Sequence, residues 1–138
     1  INRLTDSGLQ SIEVGSFVSP KWVPQMASSK ELFVAINKKA GVSYPCLVQT
    51  LKACKRFISW SQINSVFASA TESFSQKNLN CSIKESLERF VPVIEIAKKN
   101  NIKVRGYVSM VMGCPYEGEV EPSKVSDVTK QLFDLGCY

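Results

Sequence analysis

The sequence predicts an α/β fold built on a parallel sheet, and three observations carry that reading. Short apolar runs alternate with longer stretches of helical period, giving strand then helix four times over, the pattern of parallel strands joined by crossover helices. Helix ends are punctuated by capping residues and turn glycines. The alternation also starts and stops in mid-course: residues 1–8 read as the tail of a helix entering the first strand, and residues 132–138 repeat that arrangement. The chain therefore reads as an interior piece of a larger α/β domain.

The elements follow in order. Residues 11–17 (SIEVGSF) are strand-like and lead into a loop punctuated by Pro20 and Pro24. Residues 28–39 read as a helix, with Ser28 as cap, Glu31 completing a capping box and Gly41 ending it. Residues 45–48 form a short buried strand, 51–60 a weaker helix and 65–70 another strand. Ser82 and Glu85 form a second capping box, behind which Ile83, Leu87, Phe90, Ile94 and Ala97 share one helix face. Pro92 interrupts that helix; it removes the bond to the Glu88 carbonyl, at a cost of roughly 3 kcal/mol or a kink. Asn100 and Asn101 suit the helix exit, and residues 103–110 are a strand. Pro122 opens a last helix with Val125, Val128, Leu132 and Leu135 inward and Gly136 at its end.

Composition narrows the function classes. The chain has 138 residues, 44% hydrophobic and 21% charged, enough for one domain with a core. No apolar run reaches the roughly 18 residues a membrane span needs. The net charge is +5, but the lysines and arginines are scattered, with no basic run of five and no RNA-binding signature. They read as solvated helix faces, not as a nucleic-acid surface. Five widely spaced cysteines with no C-x-x-C pair, and no histidine, argue against a Cys/His zinc site and against a disulfide framework. Reduced thiols in an intracellular compartment fit this pattern.

Three residue patterns carry chemistry. Glu13 lies within an apolar strand, where a carboxylate requires a partner or a polar cavity. Arg105 and Tyr107 are two apart on a strand, so they share a face, and a guanidinium there can hold a carbonyl or phosphate. Lys77, Asn78 and Ser82 read as a loop leading to a helix N-terminus, whose N–H groups and partial positive charge suit an anion; Ser82 is equally explained as a plain cap.

Three long stretches, SIEVGSFVSPKWVPQM (residues 11–26), SFSQKNLNCSIKESLERF (73–90) and VRGYVSMVMGCPYEG (104–118), resemble the hydroxymethylglutaryl-CoA lyase family. The resemblance runs through nearly the whole chain. It implies an incomplete (β/α)8 TIM barrel, about strands two to five with their helices, as one partial domain over residues 1–138; a whole barrel needs about 250 residues. It implies metal-dependent cleavage of 3-hydroxy-3-methylglutaryl-CoA to acetyl-CoA and acetoacetate, in leucine breakdown and ketone-body formation. A base takes the tertiary hydroxyl proton, the carbon–carbon bond breaks, and an acid protonates the acetyl-CoA enolate. It implies an acyl-CoA substrate, Mg²⁺ or Mn²⁺ in the complete enzyme, and a mitochondrial matrix, peroxisomal or cytosolic setting.

Residue by residue, the resemblance matches Glu13 to a catalytic-site glutamate near the metal and a catalytic arginine. Arg105 and Tyr107 match substrate-binding residues, and Lys77, Asn78 and Ser82 match a loop that binds the CoA portion. Glu72 is a weaker candidate for the pocket rim, and Trp22 and Pro24 suit a rigid loop. Cys114 tempts as a nucleophile, but the match places it away from the family's catalytic cysteine, no histidine is present to activate it, and Gly113, Pro115 and Gly118 read as turn residues. The family's metal ligands, an aspartate in the first strand and a His-x-His pair on a late one, have no counterpart here. Gln49-Thr50 replaces the usual Pro-Asn, and residues 52–65 match poorly.

Two alternatives stay open. One is a truncated, non-catalytic homologue that binds CoA or an intact lyase. The other is a condensing enzyme of the isopropylmalate or homocitrate synthase type, against which residues 16–26 argue. An open piece of barrel exposes strand edges and an apolar interior. The isolated chain is thus expected to be marginal, to aggregate, or to associate as a homo-oligomer or with an intact lyase.

Overall fold

The structure, a computed structural model, describes residues 1–57 and 63–138. Its elements run α1 (Asn2–Asp6), β1 (Gly15–Ser16), a 3₁₀ turn (Pro24–Met26), α2 (Ser29–Ala35), β2 (Cys46–Leu47), α3 (Leu51–Phe57), β3 (Ile63–Ser69), α4 (Glu72–Leu79), α5 (Ile83–Lys99), β4 (Lys103–Ser109) and α6 (Pro122–Leu135). The four strands form one sheet in the order β1-β2-β3-β4, every pair parallel. The predicted parallel α/β architecture is what is found.

The firmest part is the ladder between β3 and β4, paired from Ile63 with Lys103 to Ser69 with Ser109. On one face, Val66, Ala68 and Val104 are buried against Phe90, Val93, Ile94 and Ala97 of α5 and Val128 and Leu132 of α6. Each Val, Leu, Ile or Phe among them contributes about 1.5–3 kcal/mol on leaving water. The helix α5 carries the complete Ser82/Glu85 capping box and runs unbroken through Pro92. Pro122 is in the first turn of α6, as its sequence requires. After α6 the backbone returns to the sheet: Tyr138 N–H donates to Val104 C=O, and Gly106 N–H donates to Tyr138 C=O.

The first strand is less regular than its sequence. Ser11 bridges Ser43, Val14 N–H donates to Pro45 C=O, and Phe17 N–H donates to Leu47 C=O. Three steps along β1 thus face two along β2, a bulge beside Pro45, which brings no N–H to the ladder. Gly15 lies in the bulge, and a Cβ there would lie 2.8 Å from Ser29 Oγ of α2. Ser29 Oγ accepts from Ser16 N–H and donates to Met26 C=O, tying α2 to the strand.

Three expectations are corrected, and a fourth lies partly outside the described residues. The helix predicted over residues 28–39 spans Ser29–Ala35; Ile36 is already extended, and Asn37 N–H is taken by Asn2 Oδ1. Ser28 makes no side-chain cap bond, so the predicted Ser28/Glu31 box is absent. The segment Glu72–Leu79 is a helix where a loop was expected. It has no apolar stripe to announce it, but Glu72 in its first turn, Lys77 in its last and Asn80 in the left-handed conformation at its end are the signals that mark it. Of the helix predicted over residues 51–60, the first seven positions are helical and residues 58–60 lie outside the described residues.

Gly136 closes α6 at φ +104°, and a Cβ there would meet Lys98 Nζ, which donates to Leu135 C=O at 2.9 Å. Replacing Gly136 by Ala both strains the left-handed backbone and evicts this lysine. A loss of about 1–3 kcal/mol is expected, read as a lower urea midpoint at unchanged slope; an unaltered midpoint contradicts it.

Candidate active site

The face of the sheet opposite α5 is polar. Ser16, Leu47, Ser65 and Arg105 are aligned across the four strands, and Tyr107 follows two residues after Arg105. Ser65, 0% exposed, donates from Oγ to Glu13 Oε2 at 3.0 Å. Tyr107 donates from its hydroxyl to the same oxygen at 3.2 Å. Regular alternation up to Val14 packs its neighbours Ile12 and Val14 into the core with Phe33 and Tyr44 while Glu13 itself lies on the polar face. Glu13 is thus the partnered carboxylate that its apolar setting demands, although its residue remains exposed.

Arg105 donates from Nη1 to Ser11 Oγ at 3.2 Å, and its guanidinium lies 5.4 Å from the centre of the Tyr138 ring. Its pKa is raised, first by the hydrogen bond with Tyr107, against partial desolvation. Among the described residues it makes no ion pair with Glu13. The structure therefore brings Glu13, Arg105 and Tyr107 to one face.

Lys77, Asn78 and Ser82 stand apart from that group. Lys77 and Asn78 are exposed on the last turn of α4, not in a loop. Ser82 caps α5: its Oγ accepts from Glu85 N–H at 3.1 Å, and its own N–H donates to Glu85 Oε2 at 2.7 Å. Glu72 Oε2 accepts from Ile83 N–H at 3.0 Å. The N–H groups expected to await an anion are held by the chain's own carboxylates, and Glu72 serves this helix end. Those hydrogen bonds hold Glu85 below the usual carboxylate range.

Three polar side chains on the same face were not singled out for the site by sequence reasoning. Ser65 was read only as part of a strand, although Asn64, Ser65 and Ser69 in one short buried run are the signal that this strand meets polar partners. Ser16 Oγ and both amide atoms of Gln49, two residues past Leu47, are buried with no hydrogen-bond partner among the described residues. A cavity of about 310 Å³ lined by Phe33, Lys38, Gly41 and Tyr44, among others, shares no residue with this face.

A divalent metal needs several oxygen or nitrogen donors converging on one point. Among the described residues no three His, Cys, Asp or Glu side chains are so grouped, so the residues present do not fit a complete metal site.

Cys114 is buried in the tight turn after β4, where Cys114 and Gly118 exchange N–H···O=C bonds of 2.7 and 2.8 Å. Burial alone would raise its thiol, but the Thr71 hydroxyl, at 3.2 Å from Sγ, and the N–H groups of Tyr116 and Glu117 outweigh it and bring the thiol below its ordinary range. The other four move up: burial pushes Cys46 to about 12 and Cys137 to about 11, and raises Cys54 and Cys81. Hydrogen bonds to the thiolate favour ionisation. Titrated by thiolate absorbance, Cys114 is expected to ionise first, and replacing Thr71 by Val to move that first step to higher pH. An unmoved first step shows that the threonine does not hold the sulfur.

The chain was compared with known proteins. The family model described as HMGL-like matches residues 1–138. The chain is 52% identical to the 3-hydroxy-3-isohexenylglutaryl-CoA/hydroxy-methylglutaryl-CoA lyase of Pseudomonas aeruginosa, over 100% of this chain and 46% of that protein. It is 47% identical to the mitochondrial hydroxymethylglutaryl-CoA lyase of Homo sapiens, over 100% of this chain and 43% of that protein. The crystal structure of hydroxymethylglutaryl-CoA lyase from Pseudomonas aeruginosa superposes with a TM-score of 0.94, covering 99% of this chain and 46% of that one. An HMG-CoA lyase from Acinetobacter baumannii in complex with coenzyme A and 3-methylmalate gives 0.92 at 27% identity, covering 99% of this chain and 45% of that one. The chain thus spans less than half the length of these relatives, and its four parallel strands are a segment of their TIM barrel. From the match over its whole length, the chain belongs to the HMGL-like family.

Proposed function

We propose that this chain forms part of a hydroxymethylglutaryl-CoA lyase, supplying one side of a site that cleaves 3-hydroxy-3-methylglutaryl-CoA to acetyl-CoA and acetoacetate. The observation that carries the reading is the Glu13, Tyr107 and Arg105 grouping on one polar face of the sheet. The similarity to lyases over the full chain supports it.

In this reading each residue acts through its own chemistry. Arg105 offers N–H donors in a fixed fork to the thioester carbonyl or a carboxylate of the substrate, where negative charge grows as the carbon–carbon bond breaks. Tyr107 and Ser65 hold the Glu13 carboxylate, which accepts a hydrogen bond, or a proton, at the hydroxyl end of the substrate. Lys77 and Asn78, exposed at the end of α4, form the candidate contact for the CoA portion, with Ser82 holding the start of α5 beside them. HMGL-like enzymes depend in general on a divalent metal, which orients the substrate and stabilises its oxyanion. Mg²⁺ or Mn²⁺ is our proposal for the complete enzyme, with its ligands outside this segment. The curated relatives include mitochondrial and cytoplasmic lyases; the mitochondrial matrix is our proposed setting.

The test is acetoacetate release from 3-hydroxy-3-methylglutaryl-CoA by the full-length protein. Replacing Glu13 by Gln is expected to lower kcat about a hundredfold or more. Replacing Arg105 by Lys keeps the charge but loses the paired donors, and is expected to lower kcat/KM about tenfold. Condensation of an acyl-CoA with a keto acid in place of cleavage would sink the reading. The other outcome is a non-catalytic homologue that keeps affinity for CoA. Calorimetric binding of CoA without turnover would identify it.

A further inference from the structure

The Glu13 carboxylate is held asymmetrically. Both of its hydrogen bonds, from Ser65 Oγ at 3.0 Å and from the Tyr107 hydroxyl at 3.2 Å, end on Oε2. Among the described residues Oε1 receives none. The two donors differ in kind. Tyr107 is half-buried on β4, whereas Ser65 is fully buried on β3, locked by a ladder that pairs it with Leu47 on one side and Arg105 on the other. A serine at that depth has no water to satisfy its hydroxyl, and Glu13 is the acceptor its Oγ–H reaches. A short side chain on a rigid strand is also a better anchor than a tyrosine on a long lever, because it loses little rotamer freedom.

We propose that Ser65 is a positioning residue that divides the labour of the Glu13 carboxylate: Oε2 is the anchored oxygen and Oε1 the one presented to the ligand. Two hydrogen bonds converging on a single oxygen fix the plane of the carboxylate and leave the other oxygen's lone pairs directed away from the sheet. Without Ser65 the carboxylate hangs on Tyr107 alone and turns about its last side-chain bond, a soft two-fold torsion. The substrate still binds through its other contacts, but the acting oxygen is no longer in line with the reacting group. Misplacement of that size acts on turnover, not on affinity.

This inference rests on the lyase reading above, and its test separates the two. In the full-length protein, Ser65→Ala should lower kcat on 3-hydroxy-3-methylglutaryl-CoA about tenfold and leave KM within about twofold. A general loosening of the fold would change both, or lower the thermal midpoint. In parallel, a crystal structure of the Ser65→Ala protein should show the Glu13 carboxylate rotated off the Tyr107 hydroxyl or spread over two positions. Unchanged kcat, or a carboxylate still ordered in its original plane, overturns the proposal. If the unsubstituted protein shows no cleavage, the lyase reading fails, and the position of the carboxylate in the Ser65→Ala structure alone decides the role of Ser65.

Discussion

The ladder between β3 and β4 is the constraint on which the rest depends. Its seven paired positions put Val66, Ala68 and Val104 against α5 and, by the two-residue period of a strand, put Ser65 and Arg105 on the other side. A slip of one residue would exchange the faces, driving Arg105 and Tyr107 into the apolar layer and bringing Val104 out. The burial of α5 against one face is therefore what aims the polar residues of the other. Core and site are two sides of the same register, and neither can be altered without the other.

At β1 the same problem is solved differently. Ser11, Ile12, Glu13 and Val14 alternate as a regular strand should, yet the ladder changes step after Val14. Pro45 on the facing strand brings no donor there, so little pairing is lost by inserting an extra residue. Gly15 then lets Ser29 come within bonding distance of the Ser16 N–H, and α2 is anchored over the irregular stretch. The consequence is that Ser16 rejoins the row of Ser65 and Arg105 on the polar face, while Glu13 lies one step back, within reach of Ser65.

Much of this was legible in the sequence, and the limits have physical causes. The periodicity of α5 and its reciprocal capping box specified that helix to its first residue, because burial and local hydrogen bonding agree there. The pairing of Arg105 with Tyr107 on one face follows from strand period alone. Glu13 announced itself by its apolar neighbours, and the family resemblance gave it a role that spacing could not. Helix α4 was invisible because Ser73, Ser75 and Asn78 leave it no continuous apolar stripe, so it is held by its place between β3 and α5 and not by its own pattern. The Ser28 cap failed because Ser28 leaves the preceding turn without an extended backbone, and its neighbour Ser29 does the bonding in its place. Ser65 went unnoticed because a serine acquires meaning only from the carboxylate opposite it, 52 positions away in the chain.

The start of α5 bears on how a CoA ligand would approach. A bare helix N-terminus attracts anions through unpaired N–H groups and partial positive charge. Here Glu85 has taken the Ser82 N–H, Glu72 the Ile83 N–H, and Ser82 Oγ the Glu85 N–H. A phosphate arriving at this end would face two carboxylates and would have to displace hydrogen bonds already made, the shortest of them 2.7 Å. Lys77 and Asn78 lie on the last turn of α4, exposed, and among the described residues no carboxylate occupies them. The Lys77 ammonium is therefore the charge near this end that suits an anion, and Ser82 has the task of holding the helix that backs the β3–β4 ladder.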